Sequence, residues 1–331
     1  MYLLSQSHFK MKKHLTILAL VALPFSGFSQ KSDTLRNKLD SLSRKTDSAG
    51  GQINNTDPHV YDADTRINFS SYFTLLGSDL KQQFTKPFHM TGKDWRNFGK
   101  FMIIEGALAF ADEPIQKNVA PIKTKNPAMG NASEVVTNFG GAYEAFTLAA
   151  IGAYGLVSKN EKMKTTTLLA TQAYITGTAL TTVLKYVTGR TRPSLYGLNG
   201  DAEPQFYGPF PKTVNNVSGR DAYSSFPSGH TTVAFAAATV FALEYNNKPW
   251  VPIIAYSSAT LIGLSRITEN KHWATDVFAG AAIGFLAGKN VVNNYHRYAK
   301  LKAPGLRKNH PVSFNLHYNF GHLEPGLIYK L

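Results

Sequence analysis

The chain contains no cysteine among its 331 residues. Without thiols it can form no disulfide framework and needs no oxidative folding, so its stability has to come from packing. This absence is compatible with export, because a secreted chain that lacks cysteine folds without a redox partner.

Long apolar runs are also scarce. A helix that crosses a bilayer needs about 20 apolar residues, and only residues 165–184 reach that length without a charge, although eight of them are threonine. The mean hydropathy of −0.19 is below what six spanning helices would give. Helices that pack closely in lipid do carry Gly, Ala, Ser and Thr, which are abundant here. We therefore expect membrane association, and the sequence leaves open whether the helices span.

Acidic residues are few compared with basic ones. The chain has 21 Asp and Glu against 35 Lys and Arg, which gives a formal charge of +14. Such an excess suits an anionic substrate or an anionic membrane surface. The basic residues form no motif with interleaved aromatics, so we expect no nucleic-acid partner.

Residues 1–30 have the pattern of a secretory signal peptide. Lys12 and Lys13 form a basic start, residues 15–23 are an apolar run, and small residues lie near the end of the segment. The run is too short for a membrane span and polar sequence follows it, which favours a cleaved signal over an uncleaved anchor. We expect export to the periplasmic side of the cell envelope. Whether residues 1–10 belong to the native start stays open.

Three short blocks farther along carry the side chains of a phosphate-handling site. They are Lys185 with Arg192 and Pro193, then Pro227, Ser228, Gly229 and His230, then Ser265 and Arg266 followed by His272 and Asp276. Together they supply permanent cations, two imidazoles and a carboxylate. A phosphoryl group spreads its charge over its equatorial oxygens, so its transfer depends largely on positioning and electrostatic stabilisation. The inventory therefore indicates phosphoryl chemistry.

Each residue type has a physical use toward a phosphoryl group. The planar guanidinium of an arginine can grip two oxygens, so Arg192 and Arg266 suit binding, and Lys185 adds a point charge. Ser228 and Gly229 precede a stretch of good helix formers. They lie where a helix would begin, and backbone N–H groups at such an end attract an anion.

The histidines account for the remaining chemistry. If residues 273–286 are helical, as their Ala, Leu and Phe content indicates, His272 and Asp276 lie on one face. Asp276 can then hold one ring nitrogen of His272 and leave the other free to attack phosphorus. His230 is left to donate a proton to the leaving oxygen. The other eight histidines show no ligand spacing to one another.

The blocks resemble the signature of the phosphatidic-acid-phosphatase type 2 (PAP2) superfamily, which also contains bacterial class A acid phosphatases and vanadium haloperoxidases. The resemblance covers residues 140–295. It implies a phosphohistidine mechanism with His272 as nucleophile, Asp276 as its orienting group and His230 as general acid, and no metal. It also implies a set of residues that bind the phosphoryl oxygens: Lys185, Arg192, Ser228, Gly229 and Arg266.

The chain departs from the family pattern at one place. Many relatives carry a glycine two residues before the nucleophilic histidine, and here that residue is Asn270. The substitution puts the local turn geometry in question and leaves the chemistry intact.

Three classes of function fit these blocks. We expect a phosphatase that hydrolyses a phosphomonoester or pyrophosphate, with a phosphorylated lipid as substrate and no cofactor, and a nonspecific soluble periplasmic acid phosphatase is its near alternative. A vanadate-dependent haloperoxidase would bind vanadate as its cofactor at His272. A noncatalytic phosphate sensor is the third class, and the intact His230, His272 and Asp276 argue against it.

Composition and apolar spacing predict an all-α fold, a PAP2-type bundle of about six helices. The predicted helices cover residues 94–111, 133–157, 162–187, 229–246, 250–268 and 273–297. Three prolines indicate an irregular connection between the first two helices.

The chain divides into four predicted parts. They are the signal peptide 1–30, a flexible polar leader 31–66, a PAP2-type helical phosphatase domain 67–300 with its motif core at 140–295, and a tail 301–331. In the tail, apolar and polar residues alternate from Val312 to Phe320, the period of a half-buried strand. A second strand after Gly326 would complete a small β-hairpin.

Residues 194–226 form a long loop between the first two blocks. Long loops in compact domains are often functional lids, and this one is tethered to site residues at both ends. We take it as the candidate substrate entrance, with simple packing of its aromatics as the alternative. These aromatics are Tyr196, Phe206, Tyr207, Phe210, Tyr223 and Phe226.

Overall fold

The computed structural model describes residues 31–44, 58–197, 202–210, 220–302, 312–319 and 322–329. The predicted signal peptide lies outside these residues. The α-helices are α1 Lys31–Arg44, α2 Phe69–Thr85, α3 Gly92–Ala109, α4 Asp112–Val119, α5 Ile122–Lys125, α6 Pro127–Asn138, α7 Ala142–Val157, α8 Glu161–Thr188, α9 Gly229–Glu244, α10 Trp250–Thr268 and α11 Ala274–Lys302. Short 3₁₀ turns cover Pro58–Tyr61, Ala63–Thr65, Lys86–His89, Pro193–Tyr196 and Arg220–Tyr223.

The prediction of about six helices is wrong, because the described residues contain eleven. The connection that the prolines mark holds two short helices of its own, α4 and α5. The predicted helix 133–157 is also two helices, broken at Gly140 and Gly141. A β-carbon on Gly140 would lie 2.3 Å from Cγ2 of Ile262, so the chain turns there against α10.

The strands take no part in the helical body. β1 Val312–Asn319 and β2 His322–Tyr329 pair antiparallel, with Val312 opposite Tyr329, and form a two-stranded sheet by themselves. No strand occurs in the described residues from 58 to 302. The predicted fold class is therefore corrected to a body built from helices alone, without a β-hairpin as part of it.

Three long helices, α8, α9 and α11, form the centre of the body. The backbones of α9 and α11 approach closely because Gly280, Gly284 and Gly288 follow one another at intervals of four residues. A β-carbon on these glycines would lie 2.6, 2.2 and 2.6 Å from backbone oxygens at Ser228 and in α9. Small residues at such spacing allow helices to pack backbone to backbone. The contact fixes how α9, which begins within the second block, lies against α11, which carries Asp276 of the third block.

The predicted leader is not uniformly flexible. Leu39 on α1 and Val60 are fully buried in the core with residues of α8, α9 and α11. Asp40 accepts a hydrogen bond of 2.7 Å from Ser78 and pairs with Lys81 at 2.8 Å, which ties α1 to α2. The described parts of residues 31–66 therefore belong to the folded body, because their few apolar side chains are the ones that it buries.

A large part of the outer surface is apolar. α3 has no buried residue and exposes aromatic and aliphatic side chains, and α7 and α10 expose further ones. Among the described helices, only Trp250–Thr268 is long and apolar enough to cross a membrane, by length and composition. Soluble proteins rarely expose apolar patches that extend over several helices.

We expect Gly284→Ala to destabilise the fold. Its methyl group would meet the backbone oxygen of Thr232 at 2.2 Å, and a backbone atom cannot move aside as a flexible side chain can. Overpacking of this kind costs about 2 kcal/mol or more, so the Tm should fall by about 4 °C or more. Gly106→Ala on α3 is the matched control, because nothing lies within 4 Å of its β-carbon, and its Tm should stay or rise. Equal Tm values for the two variants would contradict the close packing of α9 and α11.

Candidate active site

The three blocks meet at one end of the central helices. Lys185 lies in the last turn of α8, and Ser228 caps the start of α9. Arg266 lies near the end of α10, and Asp276 lies in the first turn of α11. The structure thus brings residues from four helices to one place, which the sequence separates by as many as 91 positions.

α9 begins at Gly229, where the sequence predicts a helix N-terminus. Ser228 is fully buried, and its backbone N–H donates to the backbone oxygen of Asp276 at 2.9 Å. Its hydroxyl oxygen accepts from the Thr231 hydroxyl at 2.8 Å. A β-carbon on Gly229 would lie 3.7 Å from Cε of Lys185, so the lysine lies beside this helix end. Helix dipole and ammonium group therefore attract an anion to the same point.

The two arginines keep donors that no described residue uses. Arg192 donates through Nη2 to the Ser224 hydroxyl at 3.1 Å, and Arg266 pairs through Nη1 with Glu269 at 2.8 Å. The Nε group of each is buried and has no hydrogen-bond partner in the described part of the chain. Buried donors without partners are costly. The oxygens of a phosphoryl group would satisfy them.

His230 lies among these cations. Burial, followed by the charges of Arg266, Lys185 and Arg192, lowers the pKa of His230 to about 4. Its imidazole is therefore uncharged at neutral pH in the free protein. Gly141 lies against the ring, since a β-carbon there would be 3.1 Å from Nε2.

His272 and Asp276 face each other as the sequence predicts. Nδ1 of His272 lies 3.5 Å from Oδ2 of Asp276, which is longer than a normal hydrogen bond. Catalytic hydrogen bonds often lengthen in a site without substrate. Burial lowers the pKa of His272 well below its ordinary value, so the ring is neutral and keeps a lone pair for attack.

Behind Asp276 lies a buried ion network that the sequence does not reveal. Arg190 donates through Nη1 to Oδ1 of Asp276 at 2.5 Å and through Nη2 to Oδ2 of Asp112 at 2.7 Å. Both carboxylates are almost completely buried. The only signal in the sequence is that Arg190 lies inside the spacer of the first block, and nothing marks Asp112.

The backbone geometry at Asn270 explains how the turn before His272 forms without the glycine of the family pattern. Its φ is +56°, in the left-handed region that favours glycine and that asparagine also tolerates. Its side chain accepts from Gln116 at 3.1 Å and donates to the backbone oxygen of Gly197 at 3.3 Å. The turn before His272 is thus possible with asparagine, which also links it to α4 and to the start of the loop.

The described part of the predicted entrance loop lies directly beside the site. The backbone N–H of Tyr207 donates to Gly189, and Thr191 donates to Gln205, so the loop returns along the chain that follows α8. The Phe206 ring covers Arg190, with 4.9 Å between its centroid and Cζ. Among the residues that the structure describes, no group of three or more His, Asp or Glu could hold a metal ion.

Two proteins with similar sequences carry the name lipid A 1-phosphatase. A lipid A 1-phosphatase from Porphyromonas gingivalis is 52% identical over 69 residues, which are 20% of this chain and 16% of that protein. A lipid A 1-phosphatase from Rhizobium johnstonii is 30% identical over 185 residues, 52% of this chain and 68% of that protein. The chain thus spans less than two thirds of the first relative and slightly more than two thirds of the second.

A solved structure gives a weaker likeness. The crystal structure of a transmembrane PAP2 type phosphatidylglycerolphosphate phosphatase from Bacillus subtilis has a TM-score of 0.41 and 23% sequence identity, over 59% of this chain and 91% of that one.

The family model of the PAP2 superfamily matches residues 166–299, which include all three blocks. With this match and the extent of the Rhizobium johnstonii alignment, the chain belongs to the PAP2 superfamily.

Proposed function

We propose that this chain is a membrane-associated phosphatase that removes a phosphoryl group from a phosphorylated lipid through a phosphohistidine at His272, without a metal. The observation that carries the proposal is the His272–Asp276 pair at the end of the bundle where α9 begins and three cations converge. A neutral, buried imidazole next to a carboxylate is a nucleophile, and the surrounding positive charge stabilises the phosphoryl group that it attacks.

The reaction has two steps. Nε2 of His272 attacks phosphorus, the bond between phosphorus and the lipid oxygen breaks, and that oxygen takes a proton from His230. The oxygen of a water molecule then attacks phosphorus and gives a proton back to His230, while the bond between phosphorus and Nε2 of His272 breaks and inorganic phosphate is released. Asp276 stabilises the positive charge that His272 carries between the two steps.

The phosphoryl oxygens bind to five groups that surround His272. The side chains of Lys185, Arg192 and Arg266 provide charge, and the hydroxyl group of Ser228 and the backbone N–H of Gly229 complete the cradle. The unpartnered Nε groups of the two arginines support this assignment, since each offers a donor in a fixed direction.

A lipid substrate is supported by the surface and by the relatives. The exposed apolar side chains of α3, α7 and α10 suit contact with a bilayer. Both relatives described above carry the name lipid A 1-phosphatase. Export by the segment 1–30 would place the site on the periplasmic side.

Replacement of the nucleophile should abolish turnover. We expect His272→Ala to lower kcat by about 10³-fold or more, because the covalent step is lost. Wild-type protein quenched in alkali during turnover of a ³²P-labelled lipid should carry an acid-labile label, and the variant should carry none. His89→Ala, at an exposed histidine outside the blocks, should keep wild-type kcat and label. Phosphate release at the wild-type rate by His272→Ala would contradict the mechanism.

Binding of phosphate should draw a proton onto His230. Its pKa of about 4 in the free protein is raised by a bound anion, because negative charge favours the imidazolium form. At any pH between the pKa of His230 in the free protein and its pKa in the phosphate-bound protein, binding therefore adds a proton to the imidazole. Calorimetry of phosphate binding at pH 6, in two buffers of different ionisation enthalpy, measures the number of protons that the protein takes up for each phosphate bound. His230→Gln should take up about one proton fewer than the wild type, and equal uptake would exclude His230 as the acid.

The substrate class is tested by comparing three reactions of the purified full chain. We expect phosphate release from phosphatidic acid in mixed micelles to exceed release from a chromogenic monoester by at least about tenfold in kcat/KM. A preference for the soluble monoester would instead indicate a nonspecific acid phosphatase. Halide oxidation that requires vanadate and peroxide would indicate a haloperoxidase.

A further inference from the structure

We propose that Arg190 and Asp112 are positioning residues for this reaction, with Arg190 holding Asp276, and through it His272, in the orientation for attack. The inference rests on the proposed function and adds two residues that lie outside the phosphoryl cradle. It is carried by hydrogen-bond geometry in the most deeply buried part of the site.

Arg190 is held on both branches of its guanidinium. Nη1 donates to Asp276 at 2.5 Å and to the Thr275 hydroxyl at 2.7 Å, and Nη2 donates to Asp112 at 2.7 Å. Its side chain is 3% exposed. A buried, planar guanidinium with these hydrogen bonds can adopt one orientation only. A lysine ammonium group cannot reproduce simultaneous contact with Asp276 and Asp112.

Asp112 anchors this fork to the start of α11. One of its oxygens accepts from the backbone N–H of Thr275 at 3.0 Å, and the other accepts from the Thr275 hydroxyl at 2.6 Å. A carboxylate at a helix N-terminus satisfies a free N–H group and is attracted by the helix dipole. Asp112 therefore caps α11 from a different helix and holds Arg190 at a fixed distance from Asp276.

Asp276 has no freedom to rotate once Arg190 is in place. Its Oδ1 accepts from Arg190, and its Oδ2 accepts from the backbone N–H of Trp273 at 2.9 Å and from the Ser225 hydroxyl. Oδ2 also faces Nδ1 of His272, 3.5 Å away. Loss of Arg190 would free Oδ1 and allow the carboxylate to turn away from the histidine.

Water is kept from this network by aromatic rings. Phe206, Phe226 and Trp273 surround the guanidinium, with 4.9, 5.9 and 5.7 Å from Cζ to their centroids. Charged hydrogen bonds are stronger where water is excluded. The enclosure therefore makes the orientation of Asp276 depend on Arg190 and not on solvent.

Other charged groups act on Asp276 as well. Glu105 on α3 and Asp112 on α4 lie near it, and Lys185, Arg192 and His272 act on it from the site. Their charges remain when Arg190 is replaced. A change of the pH profile in an Arg190 variant therefore reports the loss of this one cation beside Asp276.

The test separates positioning from stability by pairing two substitutions in the full chain. Arg190→Gln leaves Asp112 and Asp276 without their cation, so it lowers both Tm and kcat. Adding Asp112→Asn removes one uncompensated charge and should reverse most of the decrease in Tm. We expect the double variant to keep a kcat about 10²-fold below wild type on phosphatidic acid, with KM within about threefold, because binding of the phosphoryl group is untouched.

The pH profile provides a readout that a merely structural role would not change. Without Arg190, Asp276 takes up a proton at higher pH, so the acidic limb of kcat should move toward neutral pH. Arg190→Lys keeps the positive charge, and we expect it to keep the fold. Its kcat should fall about tenfold, with little change in the position of the acidic limb of the pH profile. Arg66→Gln is the matched surface control, because its side chain is 62% exposed, and it should keep wild-type kcat.

Two results would overturn the inference. One is a double variant with near wild-type Tm whose kcat lies within about threefold of wild type. The other, which decides the matter if the double variant does not fold, is an Arg190→Lys variant with wild-type kcat. An absence of phosphate release by the wild type from every lipid would instead reject the proposed function, and the positioning role with it.

Discussion

The arrangement of the site depends on one buried ion network. Arg190 lies between the carboxylates of Asp112 and Asp276, and all three side chains are almost completely shielded from solvent. An unpaired charge at such depth would be strongly destabilising, so the network forms only when the loop after α8 and the starts of α4 and α11 meet in one way. Because Asp276 also faces His272, the condition that allows these charges to be buried fixes the histidine as well. Electrostatic stability and the geometry of the proposed nucleophile therefore come from the same contacts.

That network requires α11 to keep one rotation about its own axis and one axial position relative to α9. The backbone N–H of Ser228 donates to the backbone oxygen of Asp276, which joins the starts of the two helices directly. Farther along, Gly284 brings the backbones so close that no side chain fits between them. A rotation of α11 by one residue, about 100°, would bring Ile283 or Phe285 to that place. Close packing in the bundle thus maintains the alignment that the ion network uses at its end.

Features that local sequence encodes could be predicted, and features that depend on distant contacts could not. The helix at 250–268 has its predicted bounds, because apolar composition and the residues at its ends define it locally. The three blocks are recognisable for the same reason, since each is short. The predicted helix 133–157 is broken because Gly140 packs against another helix, a contact that composition does not record. Asp112 and Arg190 were missed likewise, since a buried carboxylate and its cation resemble surface charges until the fold joins them.

The choice of substrate must involve groups outside the proposed phosphoryl cradle, because residues that would bind only phosphoryl oxygens cannot distinguish one leaving group from another. In the described part of the loop, Phe206 and Phe210 are 59% and 80% exposed at the edge of the site. The inner face of Phe206 covers Arg190. An apolar chain on its outer face would replace the water that lies beyond the ring, lower the local dielectric further and strengthen the pairing of Arg190 with Asp276, since ion pairs gain strength as the local dielectric falls. One ring would then connect the lipid tail to the alignment of His272, and binding energy from the tail would raise kcat and not only affinity.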